Sequence, residues 1–152
     1  WNDTAPTSTV FTVGNRNSTN QNTATFVAYC FAEKQGFSSI GTYVGNSSTY
    51  GKFINTGFRP ALVMIKRYDS GSEDWNVFDN KRIGYNVSGN DKLYWNLSSA
   101  ESTTGDEIDF LANGFKLRTT NGGLNNNGGS YTYLAFAEQP FVASNDTPAV
   151  AR

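Results

Sequence analysis

Short apolar and aromatic segments alternate with polar tracts along the chain, and Gly, Asn, Thr and aromatic residues interrupt every window that could form an amphipathic helix. Segments of this length between turn-forming residues are typical of β-strands. Because no helices are predicted between them, the sequence predicts an all-β protein, an antiparallel β-sandwich or jelly roll. The predicted strands are 9–13, 26–32, 40–44, 61–65, 75–79, 92–97 and 130–137, with a hairpin over 107–119. The run 61–65 is apolar throughout, which indicates a central strand covered on both faces.

The hairpin has a specific predicted register. Asn113 and Gly114 form the two-residue sequence that most strongly favours a tight hairpin turn, since both positions take a positive φ. With this turn, Phe110 faces Leu117 on an apolar side of the hairpin. On the other side, Asp109 faces Arg118, and we expect a cross-strand ion pair between them.

The composition is that of a folded, nearly neutral protein. Of its residues, 38% are hydrophobic, 14% aromatic and 16% charged, which is too aromatic for a disordered tract. Twelve basic and thirteen acidic residues give a net charge of −1, so we expect no binding to nucleic acid. No apolar run approaches the roughly 20 residues needed to span a bilayer, and no membrane insertion is expected.

Catalytic chemistry has few candidate residues. The chain has no histidine, which removes the commonest general base and the usual catalytic zinc ligands. Its one cysteine, Cys30, falls in a predicted apolar strand, where we expect a buried, unreactive thiol. The acidic stretch 101–109 could supply the carboxylate pair of a glycan-cleaving enzyme, but Asp109 has Arg118 opposite it. We therefore expect no enzymatic activity and no cofactor.

The segment 26–33 is echoed by 131–138, and both end in Phe-Ala-Glu. Residues 1–37 either end a preceding module or supply the N-terminal strands of the same sandwich. Residues 38–141 are the predicted sandwich module, and 142–152 are a C-terminal tail. Because the chain starts at Trp1 rather than Met, we expect it to be a piece of a longer protein.

Exposed aromatic residues beside amide and carboxylate groups suit carbohydrate binding, because aromatic faces stack on sugars and polar groups bond the hydroxyls. Alternation along 93–97 assigns Trp95 to the core and turns Tyr94 and Asn96 outward. Trp75 follows an acidic loop that ends at Asp74. The predicted ligand-binding residues are Trp75, Tyr94, Asn96 and Asp74, and plain packing of the aromatic residues is the alternative.

The same loop is a weak candidate for a calcium site. Asp69, Glu73 and Asp74 offer oxygen ligands, but the loop lacks the ligand spacing of an EF-hand. A solvated loop without metal is the alternative interpretation.

Four segments resemble a recurring domain of virion proteins from marine tailed bacteriophages. They are Tyr-Cys-Phe-Ala-Glu at 29–33, Thr-Gly-Phe-Arg-Pro-Ala at 56–61, the stretch 109–118, and 131–138. The resemblance covers about residues 9–141, and a tail similar to 147–152 commonly follows such domains.

The resemblance implies a β-rich structural module of a tail fibre, appendage or capsid-surface fibre, located in the virion with other virion proteins as partners. Binding of host-surface glycans is an additional expectation, and a cement or decoration module without sugar binding is the alternative. Since fibres are symmetric and weak surface contacts gain from avidity, we expect a homo-oligomer, taken to be a trimer.

Overall fold

The computed structural model describes residues 4–82, 86, 89, 91–103, 105 and 107–139. The chain divides into two units, Trp1–Phe31 and Ala32–Arg152. The predicted tail 142–152 lies outside the described residues, and the predicted division into modules stays a prediction.

The described residues of the first unit hold a single helical turn, α1 (Asn17–Asn20), and no strand. The strands predicted at 9–13 and 26–32 are therefore wrong, and so is the burial of Cys30, which is exposed. Apolar side chains along this unit are open to solvent, including Phe26, Val27 and Tyr29. Alternating apolar residues make a strand only where a neighbouring strand completes the hydrogen-bond ladder, and residues 26–32 join no ladder.

The second unit is an all-β sandwich of two antiparallel sheets, which confirms the predicted fold class. The five-stranded sheet has the strand order β1-β8-β3-β4-β5, and the three-stranded sheet has the order β2-β7-β6. The strands are β1 (Ser38–Val44), β2 (Phe53–Asn55), β3 (Pro60–Arg67), β4 (Trp75–Asp79), β5 (Lys92–Tyr94), β6 (Ile108–Leu111), β7 (Gly114–Leu117) and β8 (Ser130–Ala137). The strands predicted at 75–79 and 130–137 match in both bounds, whereas the one predicted at 92–97 ends early, at Tyr94.

The core lies between the two sheets and is built by inward-facing residues of every strand except β5. Val63 and Ile65 of β3 are fully buried and belong to the same core cluster as Phe115 and Leu117 of β7. Because β3 has β8 on one side and β4 on the other, its prediction as a central strand is confirmed. The stacked rings of Tyr43 and Tyr131 close one end of the core, with centroids 4.9 Å apart.

The hairpin forms, but its register differs by two residues from the predicted one. Phe110 pairs with Phe115 and Leu111 with Gly114, so the loop is 112–113 rather than 113–114. A shift of two residues keeps every side chain on its predicted face. Asp109 accordingly contacts Arg118 at 3.3 Å, but diagonally rather than from the directly opposed position.

Gly114 explains the shift. It lies in β7 directly against β2, where a Cβ would collide with the carbonyl oxygen of Ile54. The glycine is needed for this close approach of two backbones and not for a positive φ in the turn.

A buried ion pair joins the sheets beside the apolar core. The Nζ of Lys92 in β5 donates to Oε1 of Glu107 at 2.9 Å and lies 2.8 Å from Oε2 without hydrogen-bond geometry. The two side chains are 5% and 6% exposed. The Nδ2 of Asn121 also donates to Oε1 of Glu107, at 3.0 Å, so the carboxylate has an amide partner as well as a cation.

A tight turn before β8 orders the Asn- and Gly-rich tract. The helical turn α2 (Gly122–Asn125) begins at Asn121, whose side chain accepts from the N–H of Gly123. The fully buried Asn125 amide accepts from the N–H of Asn46 and donates to the carbonyls of Ser48 and Thr119. One side chain thus ties the β1–β2 loop to the β7–β8 connection at this end of the sandwich.

Candidate functional site

Two tryptophans meet on the outer face of the five-stranded sheet, the face that points away from the three-stranded sheet. Trp75 begins β4 and pairs with Lys66, and since Ile65 beside Lys66 points into the core, Trp75 points outward. The rings of Trp75 and Trp95 lie edge to face, with centroids 6.4 Å apart and planes at 71°. Trp95 is 53% exposed, so this pair offers an aromatic surface to solvent.

The prediction that Trp95 belongs to the core is wrong. Alternation along β5 holds, because Lys92 is buried and Leu93 exposed. Leu93 pairs with Val77 on the outer face, and Trp95 continues on the same side. Leu93 and Trp95 do share one face, as predicted, but in this edge strand that face is the solvent side of the sheet.

Asp74 and Asn96 form a polar border beside the tryptophans. The Oδ1 of Asn96 accepts from the backbone N–H of Trp75 at 2.8 Å, and its Nδ2 donates to Oδ1 of Asp74 at 2.8 Å. These contacts use two of the four hydrogen-bonding sites of the Asn96 amide and one of about four of the Asp74 carboxylate. We call Trp75, Trp95, Asp74 and Asn96 the tryptophan patch.

Tyr94 does not join this patch. It pairs with Asn76, which is buried on the core side of the sheet, so the two faces of the sheet separate Tyr94 from Trp75. Its ring lies 5.3 Å from the Nζ of Lys92. Of the four predicted ligand-binding residues, the structure therefore brings together Trp75, Asp74 and Asn96, and it adds Trp95.

The carboxylates proposed as calcium ligands have separate partners. Asp69 accepts from Nε of Arg67 at 2.6 Å and from the N–H of Ser130. Because this hydrogen bond from Arg67 favours the charged form, the pKa of Asp69 is lowered from its ordinary value. Glu73 lies 4.0 Å from Arg67, whereas Asp74 bonds Asn96. Within the part of the chain that the structure describes, no three acidic or other metal-ligating side chains form a group.

The described carboxylates of the acidic stretch 101–109, which leave out Asp106, are also paired. Glu101 and Asp79 both contact the guanidinium of Arg82, and Asp109 contacts Arg118. Glu107 is buried with Lys92. These pairings do not favour use of the carboxylates as a catalytic pair.

No helix among the described residues is long and apolar enough to cross a membrane.

The chain belongs to the family described as a domain of unknown function (DUF7483), whose model matches residues 1–140. Neither the curated proteins nor the solved structures give a significant match.

Proposed function

We propose that this chain, a member of that family, is a non-catalytic structural module of a bacteriophage virion appendage that binds host-surface glycans through the tryptophan patch. The pair formed by the exposed Trp95 and the partly buried Trp75 carries the proposal for glycan binding. Aromatic rings stack on the C–H faces of sugars, and neighbouring carboxylate and amide groups bond the hydroxyls. The resemblance of four segments to virion proteins supports the virion context.

The patch suits a neutral sugar better than a charged one. Asp74 is its carboxylate, while Lys66, which pairs with Trp75 on the same face, donates to the carbonyls of Arg67 and Glu73 at 2.7 Å. Because these two hydrogen bonds hold the Lys66 ammonium, a ligand of the tryptophan patch would contact ring faces and hydrogen-bonding groups rather than a cation. Such sites bind weakly singly, and several copies in an oligomer raise the avidity.

The test is an array of microbial surface glycans probed with the assembled protein, followed by titration of the best neutral oligosaccharide against Trp95→Ala. We expect Trp95→Ala to weaken binding at least about tenfold, which corresponds to loss of one good stacking contact. Because Trp95 is half exposed, the variant should keep its fold. Tyr68→Ala is the matched control, since Tyr68 is 60% exposed and lies outside the patch, and it should bind normally.

Two results would remove the glycan proposal: no binding by the oligomer to the array or to intact host cells, or equal affinity of Trp95→Ala and Tyr68→Ala. Light scattering after size exclusion measures the oligomer, for which we propose a trimer. Detection of the chain in purified virions tests the context separately.

A cement or decoration module is the second candidate, and a different observation favours it. An apolar row crosses the outer face of the five-stranded sheet through Ile40, Leu134, Met64, Val77 and Leu93. Met64 in the middle of this row is 4% exposed, whereas the Leu93 end is 42% exposed and suits packing against another virion protein. If the cement function holds, Leu93→Lys should abolish retention of the chain on virions while the glycan array stays negative.

A further inference from the structure

We infer that the outer face of the three-stranded sheet holds a second binding site, which takes a single acidic sugar bearing a carboxylate or sulfate. The site consists of Tyr50, Lys116, Arg118 and Asp109, which we call the Tyr50 cluster. It lies on the opposite side of the sandwich from the tryptophan patch and shares no residue with it.

The strand pattern places the cluster. Phe115 and Leu117 of β7 are fully buried, so Lys116 and Arg118 point to the outer face. Tyr50 precedes β2, and 79% of its surface is exposed. The Nζ of Lys116 lies 4.6 Å and the Cζ of Arg118 5.6 Å from the centroid of the Tyr50 ring. Two cations therefore lie beside one open aromatic ring.

The charges of the cluster leave one cation in excess. Asp109 lies opposite Lys116 in the ladder and contacts Nη1 of Arg118 at 3.3 Å. Two positive charges and one negative charge give a local charge of +1, in a protein whose net charge is −1. Such a balance is too small for a nucleic-acid strand, but it matches one carboxylate or one sulfate.

The chemistry of the three side chains is complementary to an acidic sugar. The Tyr50 ring offers a stacking surface for a pyranose. Arg118 offers planar donors that match a carboxylate or sulfate, and Lys116 adds a compact charge. Phe53, which is 45% exposed and pairs with Lys116 on the same face, extends the apolar border.

The test compares three probes of equal length by calorimetry at low salt: an oligogalacturonate, a sulfated oligogalactose and the neutral oligogalactose. We expect an acidic probe to bind and the neutral probe to bind at least about tenfold more weakly at this site, with affinity falling as salt rises. Lys116→Gln and Arg118→Gln should each weaken acidic binding by about threefold to tenfold, as expected for exposed charged contacts. Tyr50→Ala should weaken it similarly, and Tyr50→Phe should not.

Asp109→Asn gives the sharpest result, because removal of the competing carboxylate should strengthen binding of the acidic probe by about twofold to fivefold. Lys81→Gln is the matched control for charge, since Lys81 is exposed and pairs with Glu138 elsewhere, and it should bind like the native protein. Equal binding of neutral and acidic probes would overturn the inference, and so would equal effects of Lys81→Gln and Lys116→Gln. Trp95→Ala should leave acidic binding unchanged, so failure of the glycan proposal and failure of this one are distinguishable.

Discussion

Removing one partner of the buried Lys92–Glu107 pair should destabilise the sandwich severely, whereas removing both should not. Lys92→Met replaces the ammonium with an unbranched apolar side chain of similar length and leaves the Glu107 carboxylate without its cation. Both side chains are about one-twentieth exposed, so water provides little compensation. Loss of one member of a buried pair costs about 3–5 kcal/mol, a large fraction of the roughly 5–15 kcal/mol that stabilises a domain.

The double variant Lys92→Met/Glu107→Met should recover most of this loss, since apolar replacements of buried pairs are often neutral. Its free energy of unfolding should lie within about 1 kcal/mol of that of the native protein. Asn121, which then loses its contact with Glu107, is exposed and can bond water. The assay is urea unfolding followed by tryptophan fluorescence and far-ultraviolet circular dichroism, with the slope of the free energy checked for change.

The control is Asp109→Asn, which breaks the Asp109–Arg118 pair. Those side chains are 26% and 37% exposed, and exposed pairs contribute less than about 1 kcal/mol. If Lys92→Met lowers the free energy of unfolding no more than Asp109→Asn does, burial does not increase the contribution of the Lys92–Glu107 pair, and the prediction is wrong. A double variant as unstable as Lys92→Met alone would likewise show that the loss of stability does not come from the unpaired charge of Glu107.

Two further predictions concern close packing and acid sensitivity. Gly114→Ala should destabilise the sandwich by about 1–3 kcal/mol, because the new methyl group collides with the Ile54 carbonyl. The control is Gly71→Ala, since Gly71 is exposed and a Cβ there would meet nothing. Equal urea midpoints for the two alanine variants would contradict the role of Gly114 in the close contact of β7 with β2. The hydrogen bond from Arg67 lowers the pKa of Asp69 in the folded protein. The contribution of the Asp69 carboxylate to stability is therefore complete above its unfolded pKa, near 4, and is lost as the pH falls through the lower pKa of the folded protein. Asp69→Asn should therefore melt below the native protein at pH 7, and the difference should shrink as the pH falls below about 4; a melting difference that is independent of pH would contradict the assignment.

Much of the fold could be predicted from the sequence where alternation and turn residues agree. Residues 130–137 alternate between buried and half-buried along the whole of β8, and the strand predicted there forms with β1 and β3 paired on either side of it. The hairpin shows the limit of the same signal. Its apolar faces were predicted correctly, but two registers that differ by two residues expose identical faces, so the choice depended on the contact of Gly114 with β2.

The candidate site could be predicted only in part, for a similar reason. Alternation groups Leu93 with Trp95, but it does not say which side of an edge strand is covered. That depends on the second sheet, which packs on the side of Lys92. The strand predicted at 26–32 was wrong for the same reason. The apolar pattern of β8 is repeated there, but these residues form no strand pairing in the described structure.

The position of β8 also determines when the sandwich can fold. It is the last of the described strands, yet it pairs with both β1 and β3, and the Thr132 hydroxyl bonds the Gly41 carbonyl 91 residues earlier. Before β8 leaves the ribosome, β1 lacks its strand partner and β3 has one open edge. Contacts so distant in sequence form slowly, and unpaired strand edges promote association between chains. The five-stranded sheet is therefore completed only after its last strand has been synthesised, and until then β1 and β3 present strand edges that are open to pairing with other chains.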